Sequence, residues 1–199
     1  MLHNKIILAT HNLHKQREMD SILTSIGIPI VGLNEFPQIE DIEETGTTLI
    51  ENAFIKAHTV YQLTGIPALS DDTGLEVNAL DGDPGVFSAR YAGQNASFKE
   101  NCDKLLVELE KSFNKERCAR FRTVIAFVDG KIEHHSEGVI EGIIVNKPRG
   151  DSGFGYDSIF QPIFGNKTFA EMDEKEKNKI SHRSLAMDKM KFFLNNYFN

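Results

Sequence analysis

Apolar residues near the start of the chain follow two spacings, and each spacing predicts one kind of element. Residues 5–9 form a short apolar run, which is typical of a buried strand. Apolar positions three or four residues apart then predict an amphipathic helix that ends at Gly27 and Pro29, and residues 28–31 can form a second strand. This order favours a parallel strand pair. The apolar positions of the helix are Met19, Ile22, Leu23 and Ile26.

Two later helices each begin with a capping box, in which a hydroxyl residue precedes a glutamate by three positions. Thr48 with Glu51 and Ser97 with Glu100 fit this pattern. An apolar stripe at helical spacing follows each box, and a third stripe near the C-terminus predicts a last helix. The three stripes are Ile50, Ala53, Phe54, Ala57 and Tyr61; Phe98, Cys102, Leu105, Leu106, Leu109 and Phe113; and Ala186, Met190, Phe193, Leu194 and Tyr197.

Segments with the composition of β-strands lie between these helices, and residues typical of turns separate the segments. The sequence DDTG at residues 71–74 indicates a turn, and Asp129-Gly130 is a strong hairpin signal. A hairpin argues against a purely parallel sheet. We therefore predict an α/β fold with a mixed sheet and flanking helices, built as one domain over residues 1–199. The predicted strands are residues 68–70, 75–80, 123–128 and 131–145.

Composition narrows the classes of function. A formal net charge of −7 argues against non-specific binding to a nucleic acid polymer, which needs a basic face. It leaves room for a small anionic ligand, because a local pocket can be basic on an acidic protein. The longest apolar runs are too short to span a membrane. Two cysteines without metal-like spacing, Cys102 and Cys118, favour the reducing cytoplasm.

The sequence THNLHK at residues 10–15 lies between the first strand and the first helix. A helix N-terminus offers unpaired N–H groups and partial positive charge, which suit a phosphate. Thr10 and Asn12 can add hydrogen bonds, and Lys15 adds a full charge. The alternative interpretation is a polar loop whose side chains only cap the helix. No P-loop motif is present.

Carboxylates are concentrated in two places. Glu43, Glu44 and Glu51 lie near a helix start, where they either stabilise the helix dipole or supply oxygen ligands for Mg²⁺. Asp71 and Asp72 are adjacent, so in a strand they would face opposite ways. One would then be structural, and the other could bind a metal or accept a proton from water. A simple turn is the alternative.

Aromatic and basic residues follow in the last third of the chain. In SGFGYDSIF (residues 152–160), Phe154 or Tyr156 could stack on a base, although a hairpin or a core aromatic pair would show the same pattern. In KEKNKISHR (residues 175–183), positive charge and planar donors could contact a phosphate or a purine carbonyl, although a solvated charged face is the usual meaning of such a run.

The motifs taken together resemble the inosine triphosphate pyrophosphatase family, also called XTP/dITP diphosphatases, from residue 6 to about residue 195. The resemblance implies a long twisted mixed sheet with two lobes around a central active-site cleft. It also implies hydrolysis of dITP, ITP and XTP to the monophosphate and pyrophosphate, which removes them from the nucleotide pool, with Mg²⁺ in a homodimer. The six motifs, in chain order, are THNLHK, ETGTTLIENAFIKA, SDDTGLEV, GVFSARYAG, FGYD and ISHR.

The same resemblance assigns roles to individual residues. Glu43 and Asp72 would bind the metal, Asp72 would also accept the proton, and Thr73 would contact the substrate. The residues implied to hold the phosphates are Thr10, His11, Asn12, Leu13, His14 and Lys15. The residues implied to form the base pocket are Phe154, Gly155, Tyr156, Asp157, Lys177, His182 and Arg183.

Two other classes of protein compete with this interpretation. A related Maf-type pyrophosphatase would hydrolyse other nucleotides, but its opening motif normally has serine and arginine where this chain has Asn12 and Lys15. A non-catalytic nucleotide sensor or a structural protein is the other alternative. The presence of carboxylates at both Glu43 and Asp72 argues against it.

Overall fold

The computed structural model describes residues 5–23, 27 and 29–198. The chain forms two compact units, and the boundary between them falls inside one strand, after Asp72. Unit 1 contains Met1–Asp72, Thr123–Gly138 and Arg183–Asn199, and unit 2 contains Thr73–Arg122 and Val139–His182. Each unit has its own hydrophobic core, as described below.

The beginning of the chain forms the predicted strand, helix and strand. β1 is Ile6–Leu8, α1 is Leu13–Leu23 and β2 is Ile30–Gly32. β1 and β2 are parallel, with Ile6 opposite Ile30, so the parallel pair is confirmed. The predicted positions Ile26 and Ile28 lie outside the described residues.

Helix α2, Leu49–Thr64, has both of its ends encoded locally. Thr48 and Glu51 form the predicted capping box, and Gly65 ends the helix in the left-handed conformation at φ 66°. Ala53, Ala57 and Val60 are fully buried on one face. Lys56 lies on the same buried face, which places a charge inside an apolar stripe.

Strand β3 runs without interruption from Ala68 to Val77, so the turn predicted at residues 71–74 is wrong. Neighbouring strands hold both halves of β3 extended. β1 pairs with it at Ala68 and Leu69, and β4, Pro84–Gly85, pairs with it at Leu75 and Glu76. The polar composition of residues 71–74 predicts a turn because the sequence does not reveal the ionic partners of Asp71 and Asp72. These partners are far away in the sequence and allow both carboxylates to be buried within a strand. Asp71 and Asp72 therefore lie within a strand and face opposite ways.

The rest of the described chain completes the predicted mixed α/β fold, and its sheet has seven strands. Its later strands are β5 (Cys118–Val128), β6 (Glu133–Ile144) and β7 (Phe160–Pro162). The sheet order is β2-β1-β3-β5-β6-β7, with β4 paired to β3. The β1–β3 pair is parallel, and the β3–β4 and β6–β7 pairs are antiparallel. No described helix is both long and apolar enough to cross a membrane. The remaining elements are α3 (Phe98–Lys111), α4 (Glu174–Asn178) and α5 (His182–Phe198).

The two cores use different elements. In unit 1, residues of β1, α1 and α5 pack together, with Met19, Phe127 and Met190 fully buried. In unit 2, α3 packs on an aromatic group in which Phe121 lies 4.7 Å from Phe160, measured between ring centroids. Each core therefore gives its own unit a rigid base on which polar side chains can be held.

The turn between β5 and β6 depends on a glycine that touches an aromatic ring. Asp129 Oδ1 accepts hydrogen bonds from the N–H groups of Lys131 and Ile132, and Gly130 has φ 81°. A Cβ at Gly130 would collide with the ring of Tyr61, whereas a Cβ at Gly65, φ 66°, would meet nothing.

We expect Gly130→Ala to lower the free energy of unfolding more than Gly65→Ala does. Both variants carry a backbone cost of about 1–2 kcal/mol for an L-residue at positive φ. Only the first adds a steric clash, with the end of the Tyr61 ring, which must move to make room. Urea unfolding of the two variants measures the difference, and equal losses would contradict the close packing of Tyr61 on this turn.

Candidate active site

The loop between β1 and α1 is arranged by its own side chains. The Asn12 N–H donates to Thr10 Oγ1 at 3.1 Å, and Asn12 Oδ1 accepts from the N–H groups of His14 and Lys15 at 3.0 and 3.2 Å. Asn12 therefore caps α1, in agreement with the structural alternative for this motif. His11 Nε2 lies 3.1 Å from the Ile39 carbonyl oxygen. Leu13 is half exposed.

The Lys15 side chain leaves this loop and joins a buried ionic network in unit 1. Its Nζ lies 3.1 Å from Asp71 Oδ2, and the same oxygen accepts from Arg183 Nε at 3.3 Å. The Arg183 guanidinium also pairs with Glu18 of α1. Asp71 and Arg183 are each 1% exposed, so this ion pair is shielded from water, whereas the Lys15 side chain stays 17% exposed.

Charge compensation keeps this network ionised. Burial alone would raise the pKa of Asp71, but Lys15 and Arg183 outweigh it and hold that pKa well below its usual range. Burial would likewise lower the pKa of Arg183, but Asp71 and Glu18 outweigh it and raise that pKa. Arg183, which the sequence assigned to a base pocket, is thus engaged inside unit 1.

A second ionic cluster surrounds Asp72, which faces away from Asp71. Lys56 Nζ lies 3.0 Å from Asp72 Oδ1 and 2.5 Å from Glu44 Oε1, so one lysine bridges two carboxylates. Lys56 and Asp72 are buried, at 8% and 5% exposed. Glu44 is only partly exposed, whereas Glu43 is exposed. The acidic loop therefore brings Glu44 toward Asp72 by way of Lys56.

This cluster carries an excess of negative charge, because Lys56 faces two carboxylates. Burial raises the pKa of Asp72 and outweighs the opposing effect of Lys56 and Lys15. For Lys56, the charges of Asp72 and Glu44 outweigh burial and raise its pKa. A carboxylate pair held by one lysine can bind a hard cation or take up a proton.

The side chains around Asp72 can be compared with the ligands that a metal ion requires. Asp72 Oδ2 is buried and has no hydrogen-bond partner within residues 5–23, 27 and 29–198, so it is available to a cation. In the same ranges no group of three or more metal-binding side chains could hold an ion. One or two carboxylates, completed by waters and substrate phosphates, suit Mg²⁺. Asp72 and Glu44 therefore fit a Mg²⁺ whose remaining ligands are not protein side chains.

Unit 2 contains a separate group of predicted residues around Lys177. Lys177 Nζ lies 2.7 Å from Asp157 Oδ2 and 4.9 Å from the centre of the Phe154 ring. Asp157 Oδ2 also accepts from the Phe154 N–H at 2.8 Å. A Cβ at Gly153, φ 74°, would collide with the Asp157 carboxylate, so only glycine fits there. The glycine loop therefore holds a partly exposed aromatic face beside a buried ammonium group.

Two other predicted residues of unit 2, Tyr156 and His182, are buried. Tyr156 is 4% exposed and its hydroxyl donates to the Ser88 carbonyl at 2.9 Å. Burial raises the pKa of that hydroxyl, which therefore stays protonated. The His182 ring stacks on Phe121 with centroids 4.5 Å apart. Cys102 Sγ contacts the Gly155 carbonyl at 3.4 Å, which anchors the loop to α3.

Thr73, the predicted substrate contact, lies in β3 and is half-buried.

Comparison with known proteins identifies the family. A model of the Ham1 family matches residues 6–193. The chain belongs to the Ham1 family. A dITP/XTP pyrophosphatase of Porphyromonas gingivalis is 50% identical over 190 residues, which cover 96% of this chain and 97% of that protein. Its name agrees with the resemblance stated from the motifs.

Two solved Ham1 structures share the fold of this Ham1-family chain. The Ham1 protein of Coxiella burnetii superposes with a TM-score of 0.90 at 44% identity and covers 96% of this chain and 98% of its own. The Ham1 protein of Staphylococcus aureus gives a TM-score of 0.86 at 35% identity, with 97% and 99% covered. The mixed α/β fold is thus that of the family.

Sequence reasoning missed Glu18 and Lys56 in this Ham1-family chain. The sequence could have indicated that Lys56 is buried, because Lys56 follows Ala53 by three residues and precedes Val60 by four on the apolar face of α2. A charge inside such a stripe must find a partner when the helix packs. Glu18, adjacent to the buried Met19, had a weaker signal of the same kind.

We expect Asp71→Asn to lower the free energy of unfolding by about 3–5 kcal/mol at pH 7, because it leaves buried cations uncompensated. The folded pKa of Asp71 lies below the 3.8 of an exposed aspartate, so the unfolded chain binds more protons and acid removes this stabilisation. The gap between wild type and variant should stay constant down to about pH 5 and shrink below it.

Urea unfolding of the Ham1-family chain between pH 3 and pH 8 measures this gap. Asp188→Asn is the matched control, because Asp188 is exposed on α5 in the same unit and should give little or no loss. A gap that does not change with pH would show that the ionised form of Asp71 is not what stabilises the fold.

Proposed function

We propose that this chain hydrolyses dITP, ITP and XTP to the nucleoside monophosphate and pyrophosphate, with Mg²⁺ as its metal. The observation that carries the proposal is the buried cluster in which Lys56 bridges Glu44 and Asp72 and leaves one Asp72 oxygen without a partner among the described residues. The substrate class is supported by relatives named dITP/XTP pyrophosphatase, among them one from Coxiella burnetii that is 44% identical.

In the proposed reaction a water oxygen attacks the α-phosphorus, the bond from that phosphorus to the bridging oxygen breaks, and pyrophosphate leaves. Asp72 accepts the proton that the water loses, and burial assists this by raising the pKa of Asp72. Lys56 and Lys15 share the charge that develops on the phosphate oxygens. Mg²⁺ held by Asp72 and Glu44 would supply further neutralisation of that charge.

We assign base recognition to unit 2. A purine with a 6-keto oxygen can accept a hydrogen bond from Lys177 or His182, whereas a 6-amino group facing a donor leaves both groups unpaired. Phe154 offers the stacking face, and Lys177 above it adds positive charge. This arrangement would favour ITP over ATP. The homodimer and the cytoplasmic location stay predictions.

We expect pyrophosphate release from ITP, dITP and XTP that requires Mg²⁺, with a lower kcat/KM for ATP and GTP. Asp72→Asn should lower kcat on ITP by at least about 10²-fold, as for other lost acid–base groups. The measurement is pyrophosphate release from the five nucleotides with and without Mg²⁺.

Each alternative class has its own outcome in this assay. Binding of ITP without pyrophosphate release would indicate a nucleotide sensor, and turnover of other nucleotides alone would favour a Maf-type activity. Equal kcat/KM for ATP and ITP would overturn the assignment of base recognition. A near-wild-type kcat for Asp72→Asn would remove that residue from the mechanism.

The proposed Mg²⁺ site uses Glu44 and not the adjacent Glu43. We expect Glu44→Gln to raise the half-saturating Mg²⁺ concentration by at least about 10-fold, since even residues behind a ligand cost that much. Glu43→Gln is the matched control, because Glu43 is exposed and differs only by its place in the loop. Titration of pyrophosphate release with Mg²⁺ decides between them, and the reverse result would return the role to Glu43.

A further inference from the structure

Helix α2 buries two polar side chains one turn apart, Asn52 and Lys56, at 0% and 8% exposed. Residues four apart on a helix share a face, so both point toward the same surroundings. Lys56 holds the Glu44 carboxylate at 2.5 Å. Asn52 Oδ1 accepts the N–H of Gly46 at 2.8 Å, so it holds the backbone of the same loop two residues later.

The loop approaches α2 so closely at Gly46 that no side chain fits. A Cβ there would lie 2.6 Å from Glu51 Cβ, 2.7 Å from Asn52 Oδ1 and 3.0 Å from Asn52 N. Glu51 adds a second attachment, because its carboxylate accepts from the Thr47 N–H at 2.7 Å. The backbone immediately after Glu44 is thus fixed to the first turn of the helix.

We propose that Asn52 is a positioning residue for the reaction. By accepting the Gly46 N–H, it places the loop where the Glu44 carboxylate reaches Lys56 and therefore Asp72. The functional meaning of that placement rests on the proposed function. The placement itself is a property of the fold that can be measured without any turnover.

The hydrogen bonding of this asparagine differs from that of a clamp in which both amide groups are bonded. Its Nδ2 is buried and has no hydrogen-bond partner in the described part of the chain, which costs stability. Asn101 of α3 shows how a structural clamp is built. It accepts from the Ala92 N–H at 2.8 Å and donates to the Ala89 carbonyl at 3.1 Å, so both of its amide groups are used. At Asn52 only the oxygen is bonded among the described residues, and its partner is the backbone of the loop that carries Glu44.

The test compares Asn52→Ala with Asn101→Ala, since each removes a loop clamp from a helix. We expect crystals of Asn52→Ala to show Glu44 Oε1 and Lys56 Nζ more than 4.0 Å apart, which is beyond ion-pair distance. We also expect its half-saturating Mg²⁺ concentration to rise by about 10–100-fold, as for other residues that orient metal ligands. Asn101→Ala should lower Tm but change neither quantity.

Two further variants keep the inference open to refutation if Asn52→Ala does not fold. Gly46→Ala should displace Glu44 by the same route, because the added Cβ would collide with Glu51 and Asn52. Asn52→Asp keeps the acceptor oxygen and should retain the distance between Glu44 and Lys56.

An unchanged distance between Glu44 and Lys56 in Asn52→Ala or Gly46→Ala would overturn the inference. An equal rise in the Mg²⁺ requirement of Asn101→Ala would do so as well. If the wild-type chain releases no pyrophosphate from any nucleotide, the proposed function fails. The crystallographic distance still decides the role of Asn52 in that case.

Discussion

The ionised state of Asp71 in the interior of unit 1 is the constraint on which much of this structure depends. A carboxylate at 1% exposure stays charged only beside cations, and here Lys15 and Arg183 supply that charge. These cations come from α1 and α5, near opposite ends of the sequence. The requirement to neutralise one residue of β3 therefore fixes the positions of two helices, and Glu18 completes the network by balancing Arg183.

Successive side chains of a β-strand face opposite sides of the sheet, so the two adjacent aspartates of β3 have different surroundings. Asp72 faces the other way, where Lys56 is shared with Glu44, so negative charge is in excess. The balanced side has the properties of a structural ion network, and the unbalanced side has those of a site for a cation or a proton. Two adjacent aspartates thus acquire different chemistry from their partners and not from their own identity.

Prediction from sequence succeeded at the ends of α2, where the decisive contacts are local. The capping box of Thr48 and Glu51 and the left-handed Gly65 set the ends of α2 from within a few residues. Prediction failed at residues 71–74, where polar composition suggested a turn. The partners that keep that stretch extended and buried are β1, β4 and residues up to 112 positions away, which no local pattern reveals.

The sequence by itself determined the family motifs, the order of the helices and strands, and the set of chemical groups available for phosphate, metal and base. Only the tertiary structure decided how those groups are used. It made Asn12 a helix cap, engaged Arg183 with Glu18 and Asp71, and brought Glu44 rather than Glu43 to Lys56. The physical reason is that a buried charge is defined by its neighbours, and those neighbours come from distant segments of the chain.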